Sequence, residues 1–533
     1  MKKIIVSIIT FSLLAVSCSD FIEKEQRGTQ TLENYFQTAQ ECENYANELT
    51  QRLLLAKDWW TLTAPRVTNE MSTDDAWMGN TGQDSGAHRP CSQYLITPDN
   101  MGDMNSIYTA HYYTIQSANI GLERMAQSPI TEAQKNQYMG ESLFVRAYCY
   151  YELVNLFGGV PLYTKSLGTG DLTLQRSSAS EVYAQIETDL KDAAAKLESA
   201  PVNRDGRINK WAAYALLARV SLFQEKWAEA KTYSNKVITE GPFQLEADFL
   251  NIWNVNNHNG VESILEAQSS SVQNRDLGAA LPTLSGARGE DKKNFPSNDA
   301  ADVLDGWGWC MPTSDLENAY LSENDVIRRR STITKWGEAA YGDEVLNPTH
   351  KFSLNDNKSG RICRKYYIPI ATRRSLDKKD GHLPLNIPLI RLAEMYLTRA
   401  EANYHLGGDA LADINIIRAR VKLDPKTGIS GPTLLRQIYK ERRLELAFEG
   451  LRLFDIRREK DPTTGRPVIE SLMGPNGTFV KYNLSSTDPY ETTNLREPQD
   501  KGINFDPSKH LLWPIPQLEI DLSGNVIKQN PGY

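Results

Sequence analysis

The chain has 533 residues, 40% of them hydrophobic, with 59 Lys and Arg against 67 Asp and Glu for a formal net charge of −8. That apolar fraction excludes wholesale disorder, and the acidic balance excludes a nucleic-acid surface, which needs a basic stripe. Six cysteines are too few for a disulfide scaffold at this length.

Residues 1–17, MKKIIVSIITFSLLAVS, place two lysines before a short apolar run and lead to Cys18. From Ile4 to Val16 such a run covers roughly 20 Å as a helix, short of the ~30 Å hydrocarbon core, so it reads as a secretion signal. The stretch resembles a bacterial lipoprotein signal, which implies cleavage before Cys18 and attachment of fatty (palmitate-type) chains there. Ala15 stands where that pattern prefers Leu, with Leu14 one place earlier. Residues 18–30 follow as an acidic tether, and no later segment offers 18 consecutive apolar residues.

Residues 31–240 read as a helical region. Segment 105–156 holds helices, one of them starting near Thr131 with Gln134 placed for a capping box and ending at Gly158-Gly159. Another spans 179–200. Residues 215–237 then superpose on 397–419 at an offset of 182, matching Ala218 with Ala400, Ala230 with Ala412 and Val237 with Ala419. Small residues at these intervals resemble the tetratricopeptide helix pair, whose crossing admits only small side chains. Trp211 and Trp227 fall at repeat positions and are expected in the core.

Residues 241–384 lack sustained helical periodicity and are rich in Gly, Asn, Asp, Ser and Pro, as in a loop-rich insertion that carries function or small elements of its own. Its fragment 355–360 has no acid at the twelfth position of a calcium loop and reads as a turn. From 385 to 533 the pattern is helical again. Leu389, Leu392, Ala393, Tyr396, Leu397 and Ala400 form one apolar face, with Asn386 and Pro388 at its expected first turn. In the block 438–459 Glu441, Arg442 and Glu445 sit near the apolar face of Ile438 and Phe448, which demands buried ion pairs, and Glu449, Arg452, Asp455 and Arg457 can supply the partners. The tail 511–533, with Trp513 between apolar residues and prolines, is expected to be fixed.

No HExxH, GxSxG, GxxxxGK or GxGxxG occurs, the His are scattered, and the five cysteines after Cys18 include no CxxC pair. The expectation is a protein that is not an enzyme and holds no metal or cofactor.

Four blocks, 146–162 (RAYCYYELVNLFGGVPL), 387–402 (IPLIRLAEMYLTRAEA), 438–459 (IYKERRLELAFEGLRLFDIRRE) and 511–533 (LLWPIPQLEIDLSGNVIKQNPGY), are similar in type, order and spacing to the SusD/RagB family of Bacteroidetes outer-membrane lipoproteins. The resemblance implies an all-α, tetratricopeptide-like scaffold with large irregular loop insertions, anchored in the outer membrane and exposed at the cell surface. It implies an oligosaccharide or polysaccharide ligand passed to a SusC-like TonB-dependent transporter. A peptide receptor of the same family and a surface glycoside hydrolase are the alternatives.

Sugar contacts are expected from loop aromatics in polar, Gly-rich settings, since a pyranose offers an apolar C–H face to a ring. Trp77 lies beside Asp74, Asp75 and Asn80, and Trp307 and Trp309 lie in DGWGW. The ligand-binding candidates are therefore Trp77, Asn80, Asp74, Trp307 and Trp309, with Trp336 and Tyr341 weaker. An extended backbone turns Trp307 and Trp309 to opposite sides, leaving one on the ligand and one buried.

Overall fold

The structure, a computed structural model, describes residues 31–32, 34–52, 63–78, 88–168, 175–198, 205–270, 279–286, 306–335, 359–368, 383–488 and 501–533. Cys18, Asn80, Trp336 and Tyr341 lie outside the described residues.

Its long helices are α1 (Ala39–Arg52), α2 (Asp103–Gln127), α3 (Glu132–Phe157), α4 (Ala179–Lys196), α5 (Lys210–Phe223), α6 (Trp227–Glu240), α7 (Leu392–His405), α8 (Ala410–Arg420) and α9 (Gly431–Leu446). Each start has a local cause where a capping residue precedes it. Thr131 accepts from Gln134 N–H while the Gln134 side chain accepts from Thr131 N–H, the capping box expected at α3, and Ser178 with Glu181 repeats it at α4. Gly158, with φ of +75°, ends α3.

Helices α2 to α6 stack each on the next, and α7 packs on α6 before α8 closes the array. The stack is therefore continuous although the chain leaves it for some 150 residues after Glu240 and returns at Leu392. Such an array buries its core between neighbouring pairs, in the manner of a repeat protein.

Ala218 and Ala400 are both fully buried on the first helices of the two matched pairs. The second helices depart from the matched register: Ala230 and Val237 are buried, but Ala412 and Ala419 are exposed. The turn explains it, with three residues (224–226) in the first pair and four (406–409) in the second. One added residue rotates the helix by about 100°, so Asp413 and Ile417 take the places of Ala230 and Ser234.

The excursion from 241 to 391 carries short strands: β2 (Ser263–Ala267), β3 (Met311–Pro312), β4 (Ile333–Lys335), β5 (Arg361–Cys363) and β6 (Ile387–Arg391), with β1 (Ala76–Trp77) earlier in the chain. All pairings are antiparallel: β1 with β3, β2 with β6, and β4 with β5. Residues 387–391, expected as the first turn of α7, are thus strand β6, because β2 offers them a ladder and Asn386 donates to Glu266 instead of capping a helix. The helix starts three residues later than its apolar pattern.

The C-terminal tail is stitched to the end of α3. Trp513 N–H donates to Leu156 O at 2.8 Å, and Asn530 Nδ2 donates to the carbonyls of Phe157 and Trp513 at 2.9 and 2.7 Å. Trp211 and Trp513 are buried, while Trp227 is half-buried and stacks on His405 with ring centroids 3.9 Å apart. Cys42, Cys91, Cys149, Cys310 and Cys363 are buried free thiols.

Candidate functional site

The segment Val67–Met78, VTNEMSTDDAWM, is polar in sequence and yet buried at every position. Buried polar groups persist only when paired, and here arginines from the C-terminal third supply the partners. Asp74 takes Arg452 through two bonds, 3.0 and 2.8 Å, and lies 3.0 Å from Arg443 Nη2. Arg443 also donates to Asp75 at 2.7 Å and Asp315 at 2.6 Å. Burial raises the Asp74 carboxyl, but Arg443 and Arg452 outweigh it and hold it far below the usual carboxylate range. Glu70 accepts from Gly450 N–H at 2.8 Å, and burial, reinforced by Asp75, pushes it up to about 8.

Trp77 is 2% exposed and packs against Phe479, with ring centroids 5.9 Å apart, while the Lys501 ammonium sits 5.7 Å from its ring. As placed, Asp74 and Trp77 anchor a central strap, and neither reaches the surface of the described structure.

The strap nevertheless meets the second candidate block. Strand β1 pairs with β3 so that Trp77 faces Met311, and Cys310 N–H donates to Met78 O at 3.1 Å. Thr313 fixes the crossing through N–H to Asp75 O, 2.9 Å, and Oγ1 to Asp74 O, 2.6 Å. Residues 74–78 and 306–313, far apart in the chain, therefore form one unit.

Within it Trp307 and Trp309 do not diverge. Gly308 has φ of +65°, a left-handed turn that suits a residue without Cβ, so the backbone is not extended and the two indoles meet edge to face with centroids 5.0 Å apart. Main-chain bonds hold the turn: Trp307 N–H to Thr283 O at 2.9 Å, Gly308 N–H to Gly286 O at 2.9 Å and Trp309 N–H to Leu284 O at 2.8 Å. Trp309 is 3% exposed and lies edge-on to His88, centroids 4.8 Å apart, whereas Trp307 is only partly buried. One ring supports the other and leaves a fixed aromatic face at the surface. His88, itself buried against Asp103, is the supporting residue that sequence reasoning missed; nothing local links it to DGWGW.

The block 438–459 is an ion-pair network rather than a ligand surface. Arg391 donates to Glu262 (2.8 Å), Glu445 (2.5 Å) and Glu449 (2.8 Å), and Arg328 reaches Glu441 (2.8 Å) and Glu445 (3.3 Å). Arg442 pairs with Asp455 at 2.8 Å, as expected. Burial raises Glu445, and Arg420, Arg391 and Arg328 reverse that and hold it well below its ordinary value. Among the expected partners Arg457 meets no carboxylate of the described residues; its guanidinium lies over the Trp513 indole at 4.5 Å. Among the described residues no group of His, Cys, Asp and Glu is arranged to hold a metal ion, and no helix is long and apolar enough to cross a membrane.

A stack of helix pairs interrupted by a long excursion of short strands and loops defines a repeat-scaffold protein. The family model described as the SusD family matches residues 262–533, and one described as starch-binding, associating with the outer membrane, matches 20–222. The chain belongs to the SusD (SusD/RagB) family. It is 26% identical to SusD-like protein P2 of Formosa agariphila, covering 100% of both chains. It is also 26% identical to the starch-binding protein SusD of Bacteroides thetaiotaomicron, covering 80% of this chain and 84% of that one. Among solved structures, a laminarin-binding SusD-like protein superposes with a TM-score of 0.73 at 26% identity, over 93% of this chain and 99% of that one. The expected all-α fold of paired helices holds.

Proposed function

We propose that the mature protein is a cell-surface glycan-binding lipoprotein, tethered to the outer membrane through Cys18, that captures oligosaccharides without breaking bonds and delivers them to a SusC-like TonB-dependent transporter. The likeness to the laminarin-binding structure over nearly the whole chain carries this reading, because it joins fold, family and ligand class at 26% identity. The Trp307 face adds a chemical basis. A ring covering about 80 Å² of a sugar's C–H face at ~25 cal/mol per Å² contributes about 2 kcal/mol. A few such contacts, less the entropy of association, give micromolar to millimolar affinity, suited to a receptor that releases its cargo.

Affinity electrophoresis and calorimetry with laminarin, starch and other soluble glucans test the reading. Retardation by at least one polysaccharide, with no new reducing ends on prolonged incubation, is the expected result. Release of reducing ends, or binding confined to peptides, overturns it.

A further inference from the structure

Around the tail of the chain several buried hydrogen-bond donors have no acceptor among the described residues. Arg457 donates through Nη2 to His510 O at 3.0 Å, but its Nε and Nη1 are buried and unbonded. Trp513 is fully buried against that guanidinium, and its Nε1 has no partner either. His510, 3% exposed, accepts from Asp506 N–H through Nδ1 at 2.9 Å, so in the neutral ring the proton sits on Nε2, which is also unbonded. Burial, then the neighbouring Lys509, pulls His510 down to about 4 and keeps that ring neutral.

The rings of Tyr94 and Tyr533 pack beside these residues. The Tyr94 ring lies 5.4 Å from His510 and 5.7 Å from Trp513, and the Tyr533 ring 6.1 Å from His510. Both phenols spend their protons on carbonyls, Tyr94 on Ser72 at 2.5 Å and Tyr533 on Leu512 at 3.2 Å. Among the described residues Arg457 takes part in no ion pair, unlike its neighbours Arg452 and Arg458. Burial pulls its pKa down to about 10, and the groups acting against this are Tyr94, Tyr533 and Cys91, none of them an ionised acid at neutral pH. A partly buried cation without a counter-charge is costly, and its buried donors without acceptors add to the cost.

We propose that the Arg457–His510–Trp513 cluster binds one small monovalent anion, chloride being the one abundant outside cells, and that the anion pins the C-terminal tail to the helical body. One negative charge balances one guanidinium, and a spherical acceptor suits N–H groups arriving from a guanidinium, an indole and an imidazole. The cluster shares no residue with the Trp307 turn, and its proposed ligand is not a glycan.

The test compares the thermal midpoint of the purified full chain in chloride and in gluconate at matched ionic strength. Chloride at 100 mM raises the midpoint by roughly 2–4 °C, with the logarithmic concentration dependence of a bound ligand. Arg457→Met abolishes the chloride dependence, and the milder Trp513→Phe, which keeps the ring and loses one donor, weakens it several-fold. Crystals of the unmutated protein grown with bromide place an anomalous peak within hydrogen-bonding reach of Arg457 Nε. A midpoint indifferent to chloride, a chloride effect that survives both substitutions, or a water with no anomalous signal at that position each overturns the proposal.

Discussion

Arg452 grips Asp74 through both oxygens of the carboxylate, Nε to Oδ1 at 3.0 Å and Nη2 to Oδ2 at 2.8 Å, across 378 positions of sequence. This pair fastens the buried strap from the N-terminal half to the helix Arg452–Arg458 in the C-terminal third, and Arg443 reinforces it. Removing one member of a buried pair leaves the other charge unpaired in a medium that solvates it poorly. Asp74→Ala is expected to destabilise the protein by about 3–5 kcal/mol, read from urea unfolding. Loss of glycan binding without loss of stability would contradict the structural role.

On the proposed function, Trp307 serves recognition while Trp77 serves packing. Trp307→Ala is expected to weaken glycan affinity roughly 10- to 30-fold with little change in thermal midpoint, since about 2 kcal/mol of surface contact is lost. Trp77→Ala opens a cavity beside Phe479 and is expected to cost about 3–5 kcal/mol of stability. Calorimetric titration with the best-binding glucan and denaturation of each variant check both.

The pH dependence has a defined sign. Glu70, raised to about 8 in the folded chain from an ordinary 4.5, favours folding while protonated. Its contribution is complete below pH 4.5 and lost as pH rises through about 8. Glu317 and Glu323, whose burial is outweighed by cationic partners that hold them at about 2, act oppositely: their contribution is present above pH 4.5 and lost as pH falls through about 2. Glu70→Gln keeps an oxygen for the Gly450 N–H and cannot ionise, so it is expected to flatten the decline between pH 4.5 and about 8. Midpoints of the two proteins measured across that range decide it.

The one-residue difference between the two helix-pair turns has a mutational signature. Ala230→Leu overpacks a fully buried crossing and is expected to cost about 1–3 kcal/mol. Ala412→Leu, on an exposed face, is expected to stay within about 0.5 kcal/mol of the parent. Equal costs at both positions would restore the uniform register.

On the proposed lipid anchor, in which several acyl chains at ~0.8 kcal/mol per buried CH₂ would supply the attachment, Cys18→Ala is expected to move the protein from the membrane pellet to the soluble fraction. Fractionation of cells lacking the transporter partner isolates that effect from protein–protein retention.

Periodicity and punctuation were enough to mark the helix pairs, the Thr131 cap, the stop at Gly158 and the demand for ion pairs in 438–459, because these depend on neighbours within about a turn of helix. The partners of that demand were only partly legible: Arg442 finds Asp455 nearby, but Glu445 is met by Arg328, Arg391 and Arg420 from other elements. Composition pointed the other way for NEMSTDD, since a polar run looks solvated until distant arginines bury it. Which of Trp307 and Trp309 is the more exposed, and that Trp77 is buried against Met311, was settled by one positive φ at Gly308 and by a strand pairing across more than two hundred residues. Burial depends on which segments the chain brings together, and no local pattern carries that information.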